Sequence, residues 1–336
     1  WVNRGAPDPR TAAPTDSITP AWADLLAVRK NWWSFQPIVN PSIPAGPASS
    51  PIDRFLNAKI IAAKLTAAAK ADKATLLRRV TYTLTGLPPT PAEIAAFQAD
   101  TSTEAYARVI DRLLASPRYG EHFARHWMDL VRYADTHGSE GDPNIPQSWR
   151  YRDYLIRAFN DNVPYDQFVR EQIAGDLLTQ PRVNPAEQLN ESALGTGHFR
   201  LIEHGFQPVD TLDEQVRNVD NQIDVVSKTF LGLTVSCARC HDHKFDPISQ
   251  ADFYAFYGIF ASSRPGQVTV DSPEQLGLHR EKLSGLKQEI REALAAQWRQ
   301  QAKDLPAALN RVRGQSGERI KLEQRLAQLE QTLAGD

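Results

Sequence analysis

The chain is predicted to fold as a mainly α, irregular multi-helix domain with an extended N-terminal arm and a C-terminal helical hairpin. Three observations predict this. Apolar residues recur at helical spacing through most of the chain, start and stop signals bracket those stretches, and strand-like alternation is scarce. With 336 residues, 41% of them hydrophobic, the chain can bury a real core in one large or two modest domains.

Residues 1–50 are rich in Pro, Ala, Ser and Asp and contain one aromatic cluster, Trp32-Trp33-Ser34-Phe35. They read as an extended arm that packs these aromatics onto the body. Residues 51–265 form the helical domain. Pro51 sits in the first turn of a helix running towards Ala69. From Ala74 to Thr85, Leu76, Leu77, Val80 and Leu84 make an apolar stripe, and Gly86-Leu87-Pro88-Pro89 stops it. Thr90-Pro91-Ala92-Glu93 is a strong helix start, with a capping threonine, Pro at the first position and Glu at the third. Further helices are expected at 103–115, 119–136, 149–160 and 210–231. Residues 266–336 read as a linker and a charged hairpin, with Leu283, Leu286, Ile290, Leu294 and Trp298 on one helix. After a break around Gly314 to Gly317, Ile320, Leu322, Leu326, Leu329 and Leu333 mark the other. Such hairpins dock or space domains, so oligomerisation through it is an expectation.

A formal charge of −2, with no Lys/Arg run interleaved with aromatics, argues against a nucleic-acid partner. No stretch approaches 18 consecutive apolar residues, so no transmembrane segment is expected. The sequence starts abruptly at Trp1 without a signal peptide, as a processed or truncated chain would.

Cys237-Ala238-Arg239-Cys240-His241 carries the chemistry. Cys-x-x-Cys-His is the attachment pattern of c-type haem: two thiols reach the vinyl groups of one porphyrin edge, and the adjoining imidazole becomes the proximal iron ligand. These are the only two cysteines, so attachment would leave no thiol for a disulfide or for nucleophilic catalysis. Three other readings stand beside it: a redox dithiol, zinc ligands completed by His241 or His243, and two ordinary buried cysteines. Haem c is attached outside the cytoplasmic membrane, so the chain is expected to be exported, to a periplasm or a cell surface.

Around the motif, Arg239 and Lys244 are candidates to neutralise a haem propionate, and His243 to sit beside the cofactor. Arg125, Arg132, Arg150 and Arg152 are further propionate candidates, but ion pairs with Asp129, Asp135 and Asp153 are the favoured reading for most of them. His126 is the leading candidate for the sixth iron ligand, with His198, His204 and Met128 behind it and an open position as the alternative. His122, His126 and Asp129 also have the spacing of a second metal site, or of an interior polar network. With an open iron, Tyr133, Asp135 and His137 would be acid–base groups at its rim.

Several blocks also occur together in order: Trp33-Ser34-Phe35-Gln36-Pro37; Leu77-Arg78-Arg79-Val80-Thr81-Tyr82-Thr83-Leu84-Thr85-Gly86-Leu87-Pro88-Pro89; Arg125-His126-Trp127-Met128-Asp129-Leu130; Glu171-Gln172-Ile173-Ala174-Gly175-Asp176-Leu177; and the run from Phe230 to Ile248. Over about residues 33–262 the chain resembles the cytochrome-c-like domain of unknown function found in large exported planctomycete proteins. The resemblance implies a covalently bound haem c and a second conserved domain beyond a variable helical linker, which would be a partner on this or another chain. It also suggests association with polysaccharide breakdown. Electron transfer with that partner or a larger assembly is the function expected. A haem c redox enzyme of carbohydrate metabolism and a scaffold stapled by haem are the alternatives.

Overall fold

A computed structural model of the chain describes residues 22–138, 141–202, 210–263, 266–311 and 316–334. It is mainly α, with irregularly arranged helices and one two-stranded sheet among the described residues. Two compact units are distinguished, Trp1–Arg182 with Glu191–Val270, and Val183–Asn190 with Asp271–Asp336.

In the first unit, the arm expected to be extended carries α1 (Trp22–Lys30) and a 3₁₀ turn at Trp33–Phe35. Arg29 and Lys30 in the last turn of α1 oppose the negative end of its dipole. Trp32 and Trp33 do not pack onto the body but stay 62% and 77% exposed. Prolines at 37, 41, 44 and 47 keep the following stretch irregular, so nothing folds the aromatics back.

The predicted local signals act as written. α2 (Pro51–Ala62) ends sooner than expected, at Ala63 and the left-handed Lys64. α3 (Lys73–Thr85) starts where the Asp72 carboxylate accepts from the Thr75 amide at 2.9 Å, and stops at Gly86 with φ +70°. A side chain at Gly86 would also meet His122 Nδ1 at 2.6 Å. α4 (Pro91–Ala99) opens with the Thr90–Glu93 capping box, a feature that contributes about 1 kcal/mol. α5 (Ala105–Leu114) and α6 (Pro117–Leu130) follow. α6 ends earlier than its apolar pattern suggested. Arg132 adopts φ +53° and the Tyr133 amide bonds back to the Met128 carbonyl at 2.9 Å, a closure that normally uses glycine.

α7 (Ser148–Asn160) lies along α6, and α8 (Tyr165–Ala174) and the single turn α9 (Glu191–Leu194) complete the layer around Tyr154, Leu155 and Phe168. Its centre is charged. Glu171 is fully buried and accepts from Tyr154 Oη (2.8 Å), Ser192 Oγ (3.0 Å), Gln167 Nε2 (3.1 Å) and both Nε and Nη2 of Arg182 (3.2 and 3.1 Å). One carboxylate thereby fixes α7, α8, α9 and the strand-side exit of the chain. α10 (Thr211–Val226) runs on through a π turn at Ser227–Leu231, and packs with α11 (Gln250–Ala261) around Val219, Ile223 and Phe253.

In the second unit, β1 (Val183–Asn184) pairs antiparallel with β2 (Leu189–Asn190) in the register Val183↔Asn190. α12 (Pro273–Gly277) precedes the predicted hairpin, whose helices α13 (Arg280–Arg311) and α14 (Ser316–Ala334) pack on each other. Leu283, Leu286 and Ile290 stay at least half exposed. The expected break at Gly314 to Gly317 lies partly outside the described residues. Among the described residues no helix is long and apolar enough to cross a membrane.

Removing one partner of a buried ion pair costs about 3–5 kcal/mol because the other charge is stranded. Arg182→Met is therefore expected to lower the calorimetric melting temperature by roughly 10 °C. Arg170→Met, which removes an exposed i,i+4 pair with Asp166, should change stability by less than about 1 kcal/mol.

Candidate functional site

The cysteine motif sits on a short 3₁₀ helix, Val235–Arg239, entered after Gly232 reverses the chain with φ +66°. Residues three apart eclipse one another in a 3₁₀ helix. Val235 (6% exposed) and Ala238 (0%) share its inner face and pack with Val219 and Ile223 of α10 and Phe253 of α11. Cys237 and Cys240 stand in the same three-residue relation to each other, and both are exposed free thiols. The apolar pair that anchors the helix thus presents both sulfurs outward.

The next residues hold two imidazoles in opposite states. His241 is exposed, and its Nδ1 lies 2.7 Å from the Asp242 carbonyl oxygen. A carbonyl only accepts, so Nδ1 carries a proton, and in the neutral ring the lone pair is at Nε2. His243 is 4% exposed and wired the other way. Its Nδ1 accepts from the backbone amides of Phe245 (3.2 Å) and Asp246 (2.8 Å), so Nε2 carries the proton and donates to Thr234 Oγ1 at 2.9 Å. With a lone pair at Nδ1 the ring is uncharged, so the nearby Asp246 carboxylate at 3.4 Å makes no ion pair with it. The His243 amide also bonds the Ile248 carbonyl at 2.8 Å, closing the loop on itself.

Three residues, Arg29, Gln250 and Asp220, brace this loop and the cysteine helix before it. Arg29 of α1 donates through Nη1 to the His243 carbonyl (2.6 Å) and through Nη2 to the Lys244 carbonyl (2.5 Å), across 214 residues of sequence. Gln250 donates its amide to Asp242 Oδ1 (2.8 Å) and its side chain to the Arg239 carbonyl (3.0 Å), tying the motif to the start of α11. The Arg239 guanidinium pairs with Asp220 of α10, whose carboxyl is shifted upward by desolvation and held down in part by that arginine.

The other predicted residues are placed as follows. Arg239 faces Asp220, the Lys244 ammonium lies 5.2 Å over the Phe245 ring, and His243 has both ring nitrogens taken by the protein. His126 is exposed on α6, edge-on to His122 at 5.1 Å. α6 packs mainly on α7 and α3, whereas the cysteine helix packs on α10 and α11, so His126 and His241 belong to different packing groups. Met128 packs against the central core, and His198 is fully buried with Nε2 donating to the Gln172 carbonyl at 3.0 Å. His204 lies outside the described residues. Tyr133 donates to Asp135 at 2.7 Å, and His137 is buried with Nδ1 donating to the Ile202 carbonyl at 3.0 Å. Arg152 pairs with Asp153, and Arg150 lies over the Trp149 ring. Among the described residues no three His, Cys, Asp or Glu side chains gather as a metal-ion site, so neither a Cys2His2 zinc arrangement nor a His122/His126/Asp129 site is formed.

Sequence reasoning missed Arg29, Thr234 and Asp220. Arg29 acts on residues more than 200 positions away, and Asp220 and Thr234 on partners 19 and nine residues away, beyond the reach of any local signal.

Charge-assisted hydrogen bonds each contribute about 1.5–3 kcal/mol, so Arg29→Ala should speed hydrogen exchange of the 243–248 amides at least about tenfold, with amides of α7 unchanged. Unaltered protection at 243–248 would show that α1 does not brace the loop.

No curated protein and no solved structure matches the chain. A family model described as a protein of unknown function (DUF1549), PSCyt2, matches residues 51–265, well over half of the sequence. Over residues 51–265 this chain therefore belongs to the PSCyt2 family.

Proposed function

We propose that the chain is an exported c-type mono-haem protein that transfers electrons to a partner domain or a larger assembly. The observation that carries the reading is the pairing of two exposed thiols three residues apart, Cys237 and Cys240, with an exposed His241 whose Nδ1 bonds the Asp242 carbonyl, the tautomer that a metal ligand at Nε2 needs. The donor set fits haem. Each thiol adds across a vinyl double bond, sulfur to one carbon and hydrogen to the other, so attachment consumes no further reactant. His241 presents Nε2, and its Nδ1–H bond to the Asp242 carbonyl fixes the ring and raises the basicity of the ligating nitrogen. Phe245 and Tyr254, 72% and 54% exposed on the following loop and on α11, are apolar side chains of the kind a porphyrin face covers.

When bound, haem iron supplies reversible one-electron chemistry. The protein's part would be to supply His241 as an iron ligand and Cys237 and Cys240 as attachment points, on a helix that packs against α10 and α11. Export follows from the reading, because thioether attachment takes place outside the cytoplasmic membrane.

The test is expression in a host with a haem-attachment system, followed by acid–acetone extraction and spectroscopy. Covalent haem should survive extraction in the wild type and in His241→Ala, and be lost when Cys237 and Cys240 are both alanine. His241→Ala should lose the low-spin spectrum. Indifference of the reduced protein to carbon monoxide supports the electron carrier; rapid binding would instead assign an open iron and an enzyme. Haem retained without the two cysteines would overturn the attachment.

A further inference from the structure

The buried polar chain between α6 and the 195–202 segment has donors that the protein does not use. Arg132 follows α6 directly, and its Nη1 donates to the Leu201 carbonyl, and to those of His198 and Val131 at 3.3 Å each. Nε and Nη2 are buried and, among the described residues, have no hydrogen-bond partner. These two nitrogens form one edge of the guanidinium, the fork that binds a carboxylate through two parallel bonds. Asp224, the acid whose charge Arg132 feels most, is itself bonded to Lys228 at 2.7 Å. Burial lowers the Arg132 pKa only to about 10, so the group stays charged at neutral pH.

Two neighbours in the same chain of bonds repeat the pattern. Gln172 and His198 are both fully buried, and Gln172 Nε2 and His198 Nδ1 also lack a partner among the described residues. The Tyr151 hydroxyl donates to Gln172 Oε1 at 2.7 Å, which fixes the amide with its NH₂ turned away from Tyr151. His198 Nε2 donates to the Gln172 carbonyl, so Nδ1 is a bare acceptor. The set is a charged fork, one amide donor and one acceptor, in a place where unpaired polar groups are expensive.

We propose that the buried edge of Arg132 is a binding site for a carboxylate, with Gln172 Nε2 as an additional donor. Two sources carry that chemistry: a propionate of the haem proposed above, an option that rests on that reading, or a free small carboxylate. Phe230 connects the two regions, since its ring lies 6.2 Å from His198 and 5.7 Å from Trp127, on the turn that leads into the cysteine helix.

The test uses the whole chain in two forms, the haem-loaded wild type and the Cys237→Ala, Cys240→Ala double variant. Thermal unfolding is followed as sodium acetate is added, with sodium chloride at equal ionic strength as reference. The expected result is a saturable, acetate-specific rise in melting temperature of the double variant. In Arg132→Lys, which keeps the charge and loses the fork, the acetate concentration for half the effect should rise about tenfold. If a propionate is the natural occupant, the haem-loaded wild type shows no acetate effect; if a free carboxylate is, both forms respond alike. Since the double-variant arm needs no cofactor, its outcome is independent of whether the cysteines carry haem, which absorbance of the wild type reports separately. An acetate effect no larger than that of chloride, or one undiminished in Arg132→Lys, overturns the proposal. So does an effect seen only in Glu203→Gln, because the chain's own Glu203, outside the described residues, would then be the occupant.

Discussion

One neutral imidazole holds the segment after the cysteines shut. His243 spends both ring nitrogens on the protein, accepting two backbone amides at Nδ1 and donating to Thr234 Oγ1 from Nε2. The bond to Thr234 spans the entire cysteine helix, so that helix and the loop after it are two sides of one closed ring of contacts. With His243 turned inward, Asp242 offers its carbonyl to His241, whose imidazole turns outward in the opposite tautomer. A protonated His243 would break this arrangement, because Nδ1 could no longer accept from Phe245 and Asp246. Two histidines two residues apart are thus separated by hydrogen bonding alone into a buried ring bonded at both nitrogens and an exposed ring, the latter being the ligand in the haem reading proposed here.

The platform beneath them is assembled from different physics. Val235 and Ala238 bury against α10 and α11 by apolar packing, while the neighbouring layer of α7, α8 and α9 is centred on the Glu171–Arg182 pair. A buried charge of this kind adds little net stability, yet it penalises any arrangement in which its five donors are not all present. Arg29 adds a third element, fastening a helix from the start of the chain to the carbonyls of the His243 loop. In the haem reading proposed here, the apolar packing of Val235 and Ala238 and the bonds from Arg29 support the segment that carries His241.

What the sequence discloses depends on how local the cause is. The capping box at Thr90–Glu93 and the glycine stop at Gly86 are set by residues within four positions of one another, and both are readable from spacing. α11 was not anticipated although Ser249 and Asp252 cap it, because Phe253, Tyr254, Phe256, Tyr257, Ile259 and Phe260 surround it with aromatic and aliphatic residues and leave no stripe to detect. α6 stops at Leu130 because Arg132 accepts a left-handed backbone that its side-chain bonds to the 198–201 segment reward, a tertiary effect that propensity does not contain. Arg29 and Asp220 were invisible for the same reason: an arginine and an aspartate on solvated-looking helices become specific only when a distant partner is brought to them.

The claim on which the rest stands is the opposed tautomers of His241 and His243. Long-range proton–nitrogen NMR of the haem-free protein at neutral pH, with histidine ¹⁵N labelling and assignment by single substitution of each residue, reads them directly. The account predicts a proton on Nε2 and a lone pair on Nδ1 for His243, and the reverse for His241. The same tautomer at both positions, or a His243 ring protonated on both nitrogens, would contradict it.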